Sequence, residues 1–429
     1  MNTDNIGLKL HSLAKRLWPI NRSITGEGVR KTLLILKELN PKLSINEVPS
    51  GTKAFDWEVP REWYVNDAYI VTPSGKKICN FKDNNLHLVG YSVPVKKKLS
   101  FEELQKHLYS IPEQPKAIPY ITSYYEERWG FCISQDERDL LKDGEYEVFI
   151  DSKLFNGNLT YGEILIKGDS DREIFLSTYI CHPSMANNEL SGIVVSSYIA
   201  NWLSNKKYNK FSYRFVFIPE TIGSITYLSK NYVNLKKKVI AGFNVSCIGD
   251  ERSYSYLPSR NGNTISDKVA KHVLKWIDPN YVTYSWLDRG SDERQYCAPG
   301  IDLPISSILR TKYGEYSEYH TSLDNLDDVV TPKGLDGGYW ALRRALELIE
   351  KNNFYKVNFL CEPQMGRRGL YPTLSKKNTG DQKRLTINIL SYCDGEHSLI
   401  DIAEKINLPA WDLYESIETL ISHDLISPI

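Results

Sequence analysis

FLSTYICHPSMANNELSGI, residues 175–193, is the stretch from which the rest of the chain is read. Phe175–Ile180 is an apolar, β-favouring run that ends on Cys181-His182-Pro183. A polar loop follows, and after Ser191-Gly192 the chain turns into the helical run VVSSYIANWL. Strand, loop and helix in that order set chemistry at the carboxyl end of a strand in an open α/β sheet. A His delivered onto such a loop makes it half of a metal-dependent hydrolytic site.

Two distant stretches answer it. FSYRFVFIPE closes a second apolar run on Glu220, with a helix expected after Gly223-Ser224, so a lone carboxylate also stands where a strand stops. Downstream, the strand-like DLPISSILRT leads through Tyr313, Tyr316 and Tyr319 to His320. Two His and one Glu leaving strand ends can converge on one metal with a base beside it.

Five motifs now carry a resemblance over nearly the whole chain: LWPINRSITGEGVR (17–30), ICHPSMANNELSG (180–192), PETIGSI (219–225), RGSDERQYCAPG (289–300) and RTKYGEYSEYHTSLDN (310–325). The chain resembles the co-catalytic zinc aminopeptidases of the bacterial leucyl aminopeptidase type, whose relatives include the glutaminyl cyclases. It resembles more closely an aminopeptidase-like subfamily of unsettled function. The resemblance implies an α/β fold with a central mixed sheet flanked by helices. It implies His182 and His320 as metal ligands, with Glu220 on the motif that supplies a base and a ligand.

The departures from that pattern matter as much. The bridging-aspartate position falls on Asn188, the second acid before Gly223 is missing, a further aspartate position lands on Ser246 or Cys247, and Ser184 stands where an Asp would orient the His. Two zinc ions need carboxylates to offset four positive charges. The inventory therefore suits one zinc per chain, held by His182, His320 and one acid. Glu189 is the first choice for that acid, with Asp292 or Glu293 in reserve, and Glu220 is the general base. Cys181 reads as small and buried rather than catalytic.

The expected reaction is hydrolysis of an amide or peptide bond in a small substrate. The alternatives are a zinc-dependent deacylase or acyl-transfer enzyme acting on a small amide such as an N-acylated sugar, and a non-catalytic binding or regulatory protein with a decayed site. Candidate substrate-binding residues are Arg22, Asp292, Arg310, Tyr316 and Tyr319. Arg22 either grips a substrate carboxylate or fixes its own loop. One residue among Arg310, Lys312, Tyr313, Tyr316 and Tyr319 is expected to stabilise an oxyanion.

Composition supplies the frame. The 429 residues exceed one ordinary core. Lys plus Arg and Asp plus Glu are equal at 53 each, which offers no electrostatic case for nucleic acid or an anionic membrane. Seven cysteines without paired spacing suit a reducing cytoplasm. Neither a signal peptide nor a membrane span is expected.

Three regions follow from texture. Residues 1–50 and 136–358 form the aminopeptidase-like α/β domain, and residues 51–135 alternate in β fashion as an inserted β-rich domain. The insertion's Trp57, Trp63, Tyr64, Tyr91, Tyr124, Tyr125 and Trp129 either wall a cleft or pack the domain. Residues 359–429 comprise a Gly-, Pro- and Lys-rich linker and three helices resembling a winged helix-turn-helix. The presumed recognition helix carries Asp412, Glu415 and Glu418 and no Lys or Arg, so packing or homo-oligomerisation is expected of it rather than DNA binding.

Overall fold

A computed structural model describes residues 6–370 and 379–429. The linker expected before the last helices lies partly outside the described residues, at 371–378.

An eight-stranded mixed sheet runs through the larger of two compact units, residues 1–266 and 281–340. Its four middle strands, in the order Phe211–Ile218, Ser170–Tyr179, Val239–Asn244 and Ile305–Leu309, are parallel. These are the near-continuous apolar runs of the sequence, as strands covered on both faces must be. Ser44–Pro49 and Asn158–Ile166 extend one edge antiparallel, while Ser255–Leu257 and Val282–Thr283 complete the other. This is the α/β class expected from the sequence.

Register sets the site. Tyr179 lies opposite Ile218, so the loops that carry His182 and Glu220 leave neighbouring strands at the same level. The helix Ser191–Ser204 is apolar nearly all round and buried against the sheet. It approaches so closely that a Cβ on Gly192 would stand 2.4 Å from the Val245 carbonyl oxygen. A side chain there would push the helix, and the His182 loop with it, off the sheet.

The inserted region forms a second, antiparallel sheet of Lys77–Ile78, Glu62–Val71, Glu145–Phe155 and Val95–Ser100. Glu145–Phe155 was expected beyond the insertion, which was to close at residue 135. It instead pairs on both sides within this sheet. Trp63 and Ile150 share one hydrophobic cluster with Phe175 and Tyr179, so both sheets of this unit close on a common core.

The smaller unit comprises residues 267–280 and 341–429. Phe354–Val357, expected to end the α/β domain, is the middle strand of a three-stranded antiparallel sheet with Asp394–Ser398 and Ile426–Pro428. The helices Leu399–Ile406 and Tyr414–Ser422 pack with it, the first capped by a reciprocal Ser398–Asp401 box. Residues 267–277, read from the sequence as a helix of the α/β domain, belong to this unit. His272 Nδ1 lies 2.6 Å from Glu404, and Ala410 N–H donates to His272 Nε2 at 2.9 Å. Among the described residues, no helix is long and apolar enough to cross a membrane.

Candidate functional site

After Tyr179 the chain makes the His182 loop and then a π-helical turn over Ala186–Leu190, a distortion common at functional sites. The turn drives Glu189 inward, where it is fully buried. Its Oε2 accepts from Cys181 N–H at 2.8 Å, from His182 N–H and from His182 Nδ1 at 2.9 Å, while Oε1 accepts from Arg22 Nε at 2.6 Å. With the Nδ1 proton held by Glu189, Nε2 is the His182 nitrogen left to coordinate a metal when the ring is neutral. That atom faces Glu220 Oε2 at 3.7 Å. Burial disfavours charge on His182, but Cys181, Tyr120 and Glu189 around it hold its pKa above the ordinary value.

His320 arrives on the loop after Ile305–Leu309 with φ of 56°, in the left-handed region that a non-glycine residue seldom adopts. Its ring stacks on Tyr319 at 3.9 Å and lies 5.4 Å from the His182 ring. His320 Nε2 is buried without a hydrogen-bond partner among the described residues. Burial, then its neighbour His182, pushes its pKa down to about 3, so the imidazole is neutral. A buried, neutral imidazole with an unpartnered nitrogen is what a metal ligand requires.

Tyr120, a residue of the insertion that the sequence reading passed over, stands against both rings, 5.2 Å from His182 and 5.2 Å from His320. Backbone bonds fasten it there: Tyr120 N–H donates to the His320 carbonyl at 2.8 Å, and Ser322 N–H to the Ile118 carbonyl at 2.8 Å. Its hydroxyl lies 3.1 Å from that of Tyr124, and burial pushes its pKa up to about 12, so it remains a donor. Nothing local in PYITSYY signals this, because the contact spans about half the chain.

The remaining acids divide sharply. Glu220 keeps 23% of its side chain exposed, and burial raises its pKa. Asp292 is fully buried. Its Oδ1 accepts from Thr221 N–H at 2.8 Å and Ser224 Oγ at 2.7 Å, while Oδ2 has no partner. Burial and then Glu220 push Asp292 up to about 7. Glu293 accepts from Gly290 N–H, Ser291 N–H, Tyr313 OH and Asn244 Nδ2. Asn188 puts a neutral amide at the bridging-aspartate position, its Oδ1 accepting from Tyr179 OH at 2.9 Å.

These contacts show what each of the other expected residues touches. Cys181, His182 and Glu189 offer ligand atoms within 4.8 Å of one another, yet both Glu189 oxygens are already committed. Glu189 thus holds the His182 ring and loop by hydrogen bonds. Arg22 is fully buried, donating to Glu189, to the His182 carbonyl and to the Leu17 carbonyl at 2.8 Å, contacts that fix its loop against the His182 loop. Arg310 lies 3.8 Å over the Tyr254 ring beside Gly337, a structural position. Tyr316 donates to Asp324 and Tyr313 to Glu293, whereas Tyr319 stacks on the His320 ring. Asp292 contacts Thr221 and Ser224 behind Glu220 instead of lining open space.

A family model described as Domain of unknown function (DUF4910) matches residues 11–352, and a winged helix-turn-helix model matches residues 353–428. The chain belongs to the DUF4910 family. A Clostridium acetobutylicum relative, provisionally named a polysaccharide biosynthesis protein with an aminopeptidase-like domain, is 45% identical over 94% of this chain and 92% of its own. A crystal structure provisionally described as a peptidase from the same organism is 42% identical, covers 100% of this chain and 98% of its own, and has a TM-score of 0.94. A zinc aminopeptidase from Bacillus subtilis, 12% identical, aligns over 80% of this chain and 94% of its own at a TM-score of 0.57. At that identity the likeness is one of fold, and the fold of this family is aminopeptidase-like with a C-terminal winged helix.

Proposed function

We propose that the chain is a zinc-dependent hydrolase of an amide or peptide bond in a small substrate, with one ion held by His182 Nε2 and His320 Nε2. The observation that carries this is the orphaned Nε2 of neutral His320 beside His182, whose other nitrogen is already committed to Glu189. Asn188 in place of a bridging carboxylate supports one ion rather than two. When bound, the metal supplies a Lewis acid that polarises the amide carbonyl and acidifies water.

The chain's own residues divide the rest of the work. Glu220, the carboxylate facing His182 Nε2, takes the proton from the attacking water, and its raised pKa brings it nearer the working pH of a general base. Tyr120 and Tyr319, whose rings flank His320, are the hydroxyls available to donate to a developing oxyanion. Glu189 and Arg22 keep His182 in its tautomer and orientation.

The name of the 45% identical relative is the reason to include sugar amides among the substrates. The test is Glu220→Gln against a panel of aminoacyl and N-acetylated sugar amides. Turnover lost with zinc retained supports the base role. Loss of both assigns Glu220 as a ligand, a role its 3.7 Å spacing from His182 also suits. No turnover by the unaltered protein on any member refutes hydrolysis and favours a binding protein.

A further inference from the structure

A cleft of about 520 Å³ opens in the inserted region, apart from the two histidines, lined by Ser50, Asp56, Trp57, Arg61, Tyr125 and Asn156 among others. Its size is that of a small-ligand site. Two of its walls are aromatic and exposed: Trp57 at 39% and Tyr125 at 57%, their rings 6.0 Å apart and inclined at 62°. Exposed aromatic faces beside a few polar groups in one concavity are the lining of a small-molecule site.

The local chain is built to present them. Lys53–Ala54 and Trp57–Glu58 form a minimal hairpin in which Ala54 pairs with Trp57. Phe55 at its tip holds φ of 55°, a strained value for a bulky residue. Tyr125 faces Trp57 from a separate loop of the insertion.

We infer that this cleft binds a neutral or N-acetylated oligosaccharide. A pyranose ring offers a face of C–H groups that packs on an aromatic π-face, and a rim of hydroxyls and amides that bonds to carboxylate, amide and guanidinium groups. Trp57 and Tyr125 supply the first, and Asp56, Arg61 and Asn156 the second. Glu58 pairs with Lys53, Glu127 with Arg61 and Glu126 lies 4.0 Å from Arg128, so the cations around the cleft are engaged by carboxylates and present no basic cluster to a polyanionic sugar.

A second cavity shares Pro60, Arg61 and Tyr125 with it and is lined by Tyr124, whose hydroxyl lies 3.1 Å from that of Tyr120. The binding inference does not rest on hydrolysis and is tested without turnover.

The experiment is titration calorimetry of the full chain with N,N′-diacetylchitobiose, maltotetraose, cellotetraose and a heparin tetrasaccharide. Saturable binding of a neutral or N-acetylated member, weakened about tenfold by Trp57→Ala and by Tyr125→Ala but kept in His182→Ala, supports the site. Both substituted aromatics are exposed, and circular dichroism checks that the variants fold. No saturable binding by any member, binding indifferent to Trp57→Ala, or preference for the heparin fragment would overturn it.

Discussion

Glu189→Gln separates the two roles this carboxylate can be given. Glu189 and Arg22 are both wholly buried, joined at 2.6 Å, with three further donors closing on Oε2. Glutamine presents one acceptor oxygen and an amide that, as a donor, meets only other donors. It also leaves the Arg22 guanidinium without its counter-charge. Breaking a buried pair from one side costs about 3–5 kcal/mol. Losing the bond that orients a ligating imidazole weakens metal affinity by about 10–100-fold. The assay is urea unfolding of the EDTA-treated protein, following the transition of the larger unit in the parent, Glu189→Gln, Arg22→Gln and the double variant. We expect the single variants to be destabilised by several kcal/mol without any metal present, with a coupling of about 2 kcal/mol or more between them. A metal-free Glu189→Gln protein within about 1 kcal/mol of the parent, yet unable to retain zinc, would refute the reasoning and restore Glu189 as a ligand.

Elemental analysis of the purified chain should find close to one zinc, lost in both His182→Ala and His320→Ala; two per chain would refute the single-ion reading. His320 has a folded pKa of about 3 against an ordinary value of 6.5, so the unfolded chain binds a proton that the folded chain refuses, and this residue subtracts stability as pH falls below about 6.5. The metal-free His320→Gln variant should therefore gain on the parent between pH 7.5 and pH 5, read as a difference in urea midpoints. The helix Tyr414–Ser422 carries Glu415 and Glu418 and no Lys or Arg. Fluorescence anisotropy should accordingly detect no salt-dependent binding of a labelled DNA duplex to the full chain, whereas a steep salt slope would reverse that expectation.

Much of the architecture was legible because hydrophobic periodicity is local. The apolar runs ending near His182 and Glu220 could only be strands of a covered sheet, and a parallel sheet with helices between its strands gathers their carboxyl ends. The acidic, Lys- and Arg-free last helix was equally plain. Alternation says that Glu145–Phe155 is a strand but not which sheet it joins, and its partners proved to be Glu62–Val71 and Val95–Ser100. Likewise Phe354–Val357 took partners from the C-terminal unit.

The chain's residue order by itself determined the α/β class, the winged helix and the placing of two His and one Glu on loops that follow strands. Only the tertiary structure decided what each polar group does. Glu189 sits at a helix start in the sequence, yet Arg22, 167 residues away, claims one of its oxygens and the His182 loop claims the other. Tyr120 belongs to the insertion, yet its backbone binds the His320 loop. Burying apolar faces is a statistical property of nearby residues, whereas a buried donor or acceptor must find one particular partner, and the folded chain brings that partner from any distance.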